Sequence, residues 1–396
     1  GFKVKGISLN ANEEDGYAET NVEGEYYLNG LEAYDKYEIV PDKDDTPLDG
    51  LSTLDLVLIQ KHLLGIKNFD NPYSYIASDA NNNHSISATD LLELRKLILG
   101  IYQQLPSNES WKFINADTEF ENPHNPWDYE ENYITDSLMY ELDSIDFIAI
   151  KIGDINRSAS IYNGNNGIEE RNEDTEYLIA NNTIFSNQEE VSFDLKAENN
   201  EIITGFQFTL EFDPAILEFV GVENKAVDLI KSNINTLKKS EGLIMISWNN
   251  ASGTNVNENE SLLKFNFKSR SSGILKDAVK ISSQITKAEI YNDELETSKL
   301  ELRFEGEDYS GLKVYQNTPN PFSKITEIVF DLPQNDDVDI KIIDSTGKIL
   351  LNNHRHYSKG QNSIKISSED LTKSGIYFYK ITTSKSSVVK RMILIK

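Results

Sequence analysis

No cysteine occurs among the 396 residues of this sequence, which excludes disulfide bonds and thiol catalysis. No apolar run approaches the roughly 18 residues that a membrane-spanning helix needs, so no membrane-spanning segment is predicted. The chain opens with GFKVKG, without a methionine or a signal peptide, and we expect a processed product or the C-terminal piece of a longer protein. Stability is then expected to come from packed β-sheet and from bound metal.

Positive charge is scarce outside the C-terminal segment. The formal net charge is −27. Residues 311–396 contain 13 Lys and Arg against 8 Asp and Glu, a balance of +5, so the remaining residues carry −32. An acidic body of this size repels nucleic acid and anionic membranes, and it suits a secreted protein in a calcium-rich or salt-rich medium. We therefore predict a secreted or cell-surface protein with no nucleic-acid partner.

Residues 79–101, DANNNHSISATDLLELRKLILGI, have the pattern of a calcium loop that runs into a helix. Oxygen-bearing side chains recur at every second position, and a carboxylate closes the series at position twelve. Apolar residues then return at three- and four-residue intervals, which is typical of the buried face of a helix. The predicted calcium ligands are Asp79, Asn81, Asn83, Ser85 through its carbonyl, and Asp90.

The same unit occurs 35 residues earlier in the chain, which indicates an internal repeat. Seven of the sixteen residues of 51–66 are identical to their counterparts in 86–101. The first loop, DDTPLDGLSTLD, runs from Asp44 to Asp55, and these two carboxylates are its predicted calcium ligands. Thr46 and Leu48 stand in this loop where ligand side chains are expected.

The duplicated loop and helix resemble the dockerin family, whose paired calcium segments build a small helical module that docks onto a partner. His84 replaces the turn glycine of that family's loops. The resemblance implies an EF-hand-like, α-helical module with calcium as its cofactor, and we assign residues 44–157 to it.

This module contains a long insertion and an ambiguous end. Between residues 100 and 146 lies a polar segment with Trp111, Trp127 and Tyr129, which either packs onto the helices or offers a surface to a glycan. The module ends in DFIAIKIGDIN, where Asp154 and Asn156 follow an apolar segment. These two side chains either fold back onto the first loop or simply open the next linker.

Sandwich strands are predicted on both sides of the helical module. Residues 1–43 contain AETNVEGEYYLNGLEAYDKYEIV and resemble the last strands of the carboxypeptidase-regulatory-like, immunoglobulin-like β-sandwiches. In residues 175–307 the segments FQFTLEF, LIMISW and LLKFNF alternate apolar and polar side chains, which predicts two facing sheets. With TGFQFTLEFDPAILEFVGVE, this region resembles the cohesin family of β-sandwiches.

Residues 158–174, SASIYNGNNGIEERNED, predict a flexible polar linker and independent motion of the modules that it joins. The sequence leaves an alternative open. The cohesin-like and dockerin-like modules could pair with each other, within one chain or between chains.

The last segment, residues 308–396, contains NTPNPFSKITEIVFDLP, DIKIIDSTGKIL, GQNSIKIS, LTKSGIYFYKI and VVKRMILIK. These motifs combine a proline-fixed entry, turn glycines and alternating strands, which fits a small β-sandwich. They resemble the type A C-terminal sorting domain read by the type IX secretion system of Bacteroidetes. The resemblance implies export with the type IX secretion machinery as a partner.

No catalytic constellation stands out, and the recognised segments leave no stretch long enough for a catalytic domain. His354 and His356 lie two residues apart in a predicted strand, where they are either ordinary surface residues or a transition-metal pair. His62 occupies the helix position equivalent to Leu97 and is predicted to be a partly buried packing residue, and His84 is predicted to point outward from its loop.

The predicted fold class is multidomain and mainly β, with immunoglobulin-like β-sandwiches and one small α-helical, dockerin-like module. The favoured function is that of a non-enzymatic, calcium-stabilised, modular surface protein for adhesion or extracellular assembly. The alternative is an accessory tail of a secreted polysaccharide-degrading enzyme. The partners considered are a cohesin–dockerin-type protein contact and a surface glycan.

Overall fold

A computed structural model describes residues 3–8, 13–135, 145–159, 175–305, 312–332, 335–371, 373–384 and 386–395. The chain divides into two compact units, Gly1–Phe304 and Glu305–Lys396. Strands outnumber helices in both, which confirms the mainly β class. Within the described residues, no helix is both long enough and apolar enough to cross a membrane.

The first part of the larger unit combines short strands with three helices. Its elements are β1 (Lys3–Ser8), β2 (Glu13–Glu19), β3 (Tyr37–Asp42), α1 (Thr53–Leu63), α2 (Pro72–Ser78), α3 (Ala88–Ile98), β4 (Trp111–Asn115), β5 (Tyr133–Ile134) and β6 (Phe147–Lys151). Helix α2 is not indicated by the sequence repeat, and it leads directly into the loop that begins at Asp79.

Helices α1 and α3 are built alike, as the repeat predicts. Each begins with a capping box, in which Ser52 or Ser87 caps the first turn. Asp55 or Asp90, at the third helical position, accepts the amide of that capping serine. Each helix is followed by a glycine in the left-handed region, with φ of +68° after α1 and +65° after α3.

The long insertion completes the N-terminal sheet. Its strand β5 pairs with β3, so the sheet order is β2-β1-β3-β5. Beside this pair, the Tyr37 amide donates to the Thr135 hydroxyl at 2.8 Å. Strand β6, the FIAIK segment, pairs with β4 along its whole length. The N-terminal strands and the helical module are therefore connected through the insertion.

The rest of the larger unit is a β-structure around one large apolar core. Its elements are β7 (Thr175–Asn181), β8 (Ile184–Phe185), β9 (Glu190–Ala197), β10 (Glu201–Phe212), β11 (Leu217–Asn224), β12 (Ile234–Asn235), β13 (Leu243–Val256), β14 (Ser261–Ser269), β15 (Gly273–Ile274), α4 (Leu275–Ala278), β16 (Val279–Ser282), β17 (Glu289–Asn292) and β18 (Thr297–Glu305). The sheet order is β11-β14-β9-β7-β18-β17-β10-β13-β12, and β16 also pairs with β10.

Strand β10 is buried on both of its faces. Phe206 and Phe208 point into the apolar core, as their alternation predicts. Gln207 and Thr209, on the opposite face, are also buried. A strand of an antiparallel sheet that faced solvent on one side would expose these polar residues, so a second layer must cover β10.

The smaller unit is a compact pair of sheets. Its strands are β19 (Lys313–Val314), β20 (Ile325–Leu332), β21 (Asp336–Asp344), β22 (Ile349–Tyr357), β23 (Gly360–Ser367), β24 (Gly375–Thr382) and β25 (Ser387–Leu394). The sheet orders are β19-β20-β23 and β22-β21-β24-β25. Both sheets contribute to one apolar core that includes Phe330 and Tyr379, as predicted for a small sandwich.

Candidate functional site

The contiguous loop, residues 79–90, is closed by its first and last carboxylates, Asp79 and Asp90. Both side chains are buried. Backbone amides of the loop donate to them: Asn83 (3.0 Å) and His84 (2.7 Å) to Asp79, and Asn81 (3.2 Å) and Ser87 (2.9 Å) to Asp90. These bonds curl the loop back onto the start of α3.

One oxygen of the contiguous loop lacks a partner among the described residues. The Asn81 Oδ1 atom is buried and accepts no hydrogen bond from the described residues, a situation that costs about 1–3 kcal/mol. Burial also raises the pKa of the Asp90 carboxyl. A calcium ion fits this donor set, because carboxylate and amide oxygens are its preferred ligands. The other predicted ligands, Asn83 and Ser85, are exposed.

A second loop is assembled from two distant segments. Residues 154–158 fold back onto residues 50–55 at the start of α1, which was one of the two interpretations of the sequence. The Asp55 carboxylate accepts the amide of Ile155 at 2.8 Å and that of Asn156 at 3.2 Å. The Ser158 hydroxyl donates to the Gly50 carbonyl at 3.1 Å. We call these two segments together the split loop.

The split loop repeats the hydrogen bonds of the contiguous loop. Asp154 accepts the amides four and five residues ahead of it at 3.0 and 2.8 Å, and Asp79 does the same at 3.0 and 2.7 Å. Asp55 accepts the amide two residues after Asp154 at 3.2 Å. Asp90 accepts the amide two residues after Asp79, also at 3.2 Å. Asp154 is therefore the structural counterpart of Asp79.

That counterpart position was predicted for Asp44. The Asp44 carboxylate instead accepts the Ser110 amide at 2.7 Å, next to the start of β4. The close approach of the two segments of the split loop depends on Gly50. A Cβ atom at this position would lie 2.6 Å from the Ala159 nitrogen, and the φ of +69° also favours glycine.

Buried charge gathers around the split loop. Asp55 is fully buried, and Asp154 is 6% exposed. Burial and the neighbouring charge of Asp154 raise the pKa of the Asp55 carboxyl to about 7. Lys151 is 4% exposed, and its ammonium donates to the carbonyls of Pro47 (2.9 Å) and Ile152 (3.0 Å). Burial lowers the pKa of this lysine to about 8, against the opposing effect of nearby aspartates.

Helix α1 lies on the sheet formed by β10 and β13. Thr53, the first residue of the helix, is fully buried. Its amide donates to Gln207 Oε1 at 2.7 Å, and its hydroxyl lies 2.7 Å from that of Ser247. Gln207 thus satisfies an amide that has no partner inside the helix. Farther along α1, Gln60 Oε1 accepts a hydrogen bond from Asn249 Nδ2 at 2.8 Å.

The end of α3 completes this contact, which we call the docked face. Three polar contacts join α3 to the sandwich: Arg95 to Asn249, Asn235 to the Leu99 carbonyl (2.9 Å) and Thr286 to the Ile98 carbonyl (2.8 Å). A small apolar cluster adjoins them, made of Leu99, Leu243, Met245 and Ile285. The docked face explains the burial of both faces of β10. The contact also contradicts the expected independent motion of the helical module and the cohesin-like domain. Of the linker between them, only Ser158 and Ala159 are described.

The described aromatic residues of the insertion mainly pack against the module. Trp111 is buried, and Trp127 contacts the apolar core of the helices. The Trp127 ring stacks on His84 with 5.5 Å between ring centroids. His84 is exposed, as predicted, although its ring contacts Trp127, and with φ of +62° this histidine adopts the conformation of a turn glycine. His62 stacks on Phe69 at 4.1 Å, which confirms its predicted packing role.

The strand histidines each face a carboxylate of the neighbouring strand. His354 Nδ1 lies 2.8 Å from Asp339, and His356 Nδ1 lies 2.9 Å from Asp337. In the part of the chain that the structure describes, no three His, Asp or Glu side chains are grouped so as to hold a metal. Each of the two loops instead combines two carboxylates with amide, hydroxyl or carbonyl oxygens.

Two family profiles match the chain. Residues 313–396 match the secretion system C-terminal sorting domain, and residues 188–299 match the cohesin domain. The chain carries a cohesin domain and a type IX secretion sorting domain. The sorting domain marks a secreted, cell-surface protein. Gln207, Ser247 and Thr286 of the docked face lie inside the cohesin domain.

Similar solved structures include cohesins and a secretion-system component. The sixth cohesin of scaffoldin B from Acetivibrio cellulolyticus, in complex with a Cel5 dockerin, is 16% identical over 33% of this chain and 99% of that chain, with a TM-score of 0.25. The seventh ScaB type I cohesin from Pseudobacteroides cellulosolvens is 18% identical over 32% and 86%, with a TM-score of 0.25. PorZ, a surface component of the type IX secretion system of Porphyromonas gingivalis, is 19% identical over 30% and 15%, with a TM-score of 0.16. No curated protein matches the sequence.

Proposed function

We propose that this chain is part of a non-enzymatic, calcium-stabilised surface protein for adhesion or extracellular assembly, in which a dockerin-like module docks onto the cohesin domain of the same chain. The docked face carries the proposal. Helices α1 and α3 belong to residues 44–157, the segment that resembles dockerins, and they cover strands β10 and β13 of the cohesin domain.

The chemistry of the docked face supports a specific pairing. Thr53 and Ser247 are fully buried and hydrogen-bonded to each other, and Gln207 pairs with a helix amide. Because buried polar groups are costly without partners, such contacts fix one register between the helices and the sheet. Docking in this register holds the helical module and the cohesin domain together within the larger compact unit.

Calcium is the proposed cofactor of both loops. In the contiguous loop the ligands are those predicted from the sequence. In the split loop the equivalent groups are Asp154, Asn156, Ser158, the Gly50 carbonyl and Asp55. The support is the unpartnered Asn81 oxygen and the matching hydrogen bonds of the two loops. Calcium bound in the split loop would join the two ends of the helical module.

An arginine at position 53 tests the docked face. Thr53 packs closely on Gly205, since its Cγ2 atom lies 3.3 Å from the position that a Cβ atom on Gly205 would occupy. Thr53→Arg adds a long charged side chain that has no room there, so the helices should leave the sheet. Small-angle scattering of the intact chain should then show a larger radius of gyration, and the first amides of α1 should exchange faster with deuterium. Ala88→Arg is the matched control, because Ala88 occupies the equivalent position of α3 and is exposed.

Equal scattering and exchange in the wild-type chain and both variants would contradict the docked arrangement. Adhesion or assembly is tested separately, by a screen of glycans and surface proteins with the wild-type chain in calcium and in chelator. Binding that requires calcium supports the proposed role. Turnover of a polysaccharide by the chain itself would contradict the non-enzymatic role.

A further inference from the structure

The split loop differs from the contiguous loop by one buried, positively charged side chain. Lys151 precedes Asp154 by three residues, and its side chain is almost fully buried. The aspartates whose charges act on it are Asp154, Asp49, Asp55 and Asp44. Two of these, Asp154 and Asp55, are the carboxylates that close the split loop.

The contiguous loop has an apolar residue at the equivalent position. Ile76 precedes Asp79 by three residues, and it is 2% exposed. It packs against Ile114 and Ile150 in a small apolar cluster. The two loops therefore share their hydrogen bonds while their electrostatic surroundings differ by a positive charge.

We propose that the Lys151 ammonium sets the calcium affinity of the split loop, holding it below that of the contiguous loop while stabilising the metal-free fold. This inference rests on the calcium role proposed above. A fixed positive charge repels an incoming divalent cation, and the repulsion is strong where water is excluded. The same charge offsets the cost of burying Asp55 and Asp154 together when no metal is bound.

The position of the ammonium supports competition with the metal. It donates hydrogen bonds to the carbonyls of Pro47 and Ile152. These two residues lie just before the two segments of the split loop, so the backbone at the start of each segment holds the ammonium in place. It therefore cannot move into solvent without losing both hydrogen bonds, one of them to the carbonyl of the buried Ile152. The chain would thus hold one tight calcium site and one weak site, and the weak site would report the calcium level outside the cell.

Calorimetric titration of the intact chain with calcium tests the inference. The wild-type chain should bind two ions with unequal affinities, and Asp79→Ala should remove the tighter one. In Lys151→Met the weaker site should tighten by about tenfold or more, with the tighter site unchanged. Without metal, Lys151→Met should melt at a lower temperature than the wild-type chain, and its calcium-induced rise in melting temperature should be larger.

Two further variants keep the result interpretable. Lys151→Gln should tighten the weaker site as Lys151→Met does, which guards against a packing defect in one variant. Lys112→Met is the matched control, because Lys112 is also a buried lysine but pairs with Glu131 at 2.9 Å. It should leave both calcium affinities unchanged.

Equal affinities of the two sites in the wild-type chain would overturn the inference. So would a weaker site that fails to tighten in both Lys151 variants, or a single calcium ion in the wild-type chain and in both Lys151 variants. In each of these cases the calcium role would remain. A wild-type chain that binds no calcium would overturn the calcium role and the Lys151 inference together.

Discussion

The contiguous loop and the split loop reach the same hydrogen-bond geometry by different chain paths. In the contiguous loop, Asp79 and Asp90 lie within one twelve-residue segment. In the split loop, their counterparts Asp154 and Asp55 belong to opposite ends of the helical module. The comparison shows that one hydrogen-bond pattern between carboxylates and amides can be built from a single segment or from two distant segments of the chain.

The position of the two loops in the fold differs as well. Asp55 belongs to the first turn of α1, whose Thr53 pairs with Gln207 and Ser247 of the cohesin domain. The corresponding turn of α3 begins at Ala88, which is exposed. The split loop therefore connects the end of the helical module to the docked face, whereas the contiguous loop caps its own helix.

Removing the closing carboxylates should lower the free energy of unfolding most, and by different amounts in the two loops. Asp55→Ala leaves the amides of Ser52, Ile155 and Asn156 without their acceptor, and it should cost about 4 kcal/mol of the free energy of unfolding. Asp90→Ala leaves the amides of two residues and should cost about 2 kcal/mol. Denaturant unfolding in the presence of a chelator measures both.

The matched variants Asp55→Asn and Asp90→Asn retain an acceptor oxygen and should each lose less than their alanine counterparts. An equal loss in Asp55→Ala and Asp90→Ala would show that the split loop contributes no more than the contiguous one. The link between the split loop and the docked face would then be wrong.

A methyl group at Gly50 should separate the two halves of the split loop. In Gly50→Ala the added carbon meets the Ala159 backbone at 2.6 Å, so residues 154–159 must move, and we expect a loss of about 3 kcal/mol. Gly65→Ala is the control, since Gly65 has nearly the same φ and nothing within 4 Å of an added Cβ. Its loss should be about 1 kcal/mol, the cost of the left-handed conformation alone.

Chemical denaturation of the two glycine variants decides this point, with calcium titration of each as a second measurement. Gly50→Ala should weaken calcium binding in the split loop, and Gly65→Ala should not. Similar losses of stability in both variants would mean that the two segments do not press together at Gly50.

The smallest expected effect is that the free energy of unfolding depends on pH in the absence of calcium. The pKa of Asp55 is raised from 3.8 to about 7 in the fold, so the folded chain binds this proton more tightly than the unfolded chain. Its contribution to stability is therefore complete below pH 3.8 and is lost as the pH rises through 7. Between pH 5 and pH 8 in chelator, we expect a fall of about 2–3 kcal/mol in the free energy of unfolding.

Calcium should remove this fall, because the ion takes the place of the proton on Asp55. Unfolding curves at several pH values, in chelator and in saturating calcium, give the comparison. Asp55→Asn should make the profile in chelator shallower. A profile that stays steep in that variant would assign the pH dependence to other groups.

Local patterns in the sequence were sufficient for the contiguous loop and for the strands of the cohesin and sorting domains. The alternation of oxygen ligands and the helical periodicity after Asp90 depend only on neighbouring residues, and the structure reproduces the helix. Spacing alone selected Asp44 for the first loop, because it lies eleven residues before Asp55. Asp154 makes the equivalent hydrogen bonds, and no local pattern ties it to Asp55.

The sequence gives little indication of the docked face. The polar residues of FQFTLEF, Gln207 and Thr209, alternate with its phenylalanines and so predict a solvated face of β10. Both are buried, because the Thr53 amide of α1 donates to Gln207, and Thr209 pairs with the Thr286 backbone of the same domain. A polar residue can be buried wherever a partner arrives, so alternation identifies the faces of a strand without showing which of them are covered.

The path of the split loop also sets an order of events in time. Asp90 accepts an amide nine residues away, whereas the Asn156 amide that Asp55 accepts is 101 residues distant. Closing the longer path costs about 2 kcal/mol more chain entropy, and it must wait until residue 156 has been synthesised. The contiguous loop can therefore form early, as a nucleus for α3, while the split loop closes last and locks the finished module.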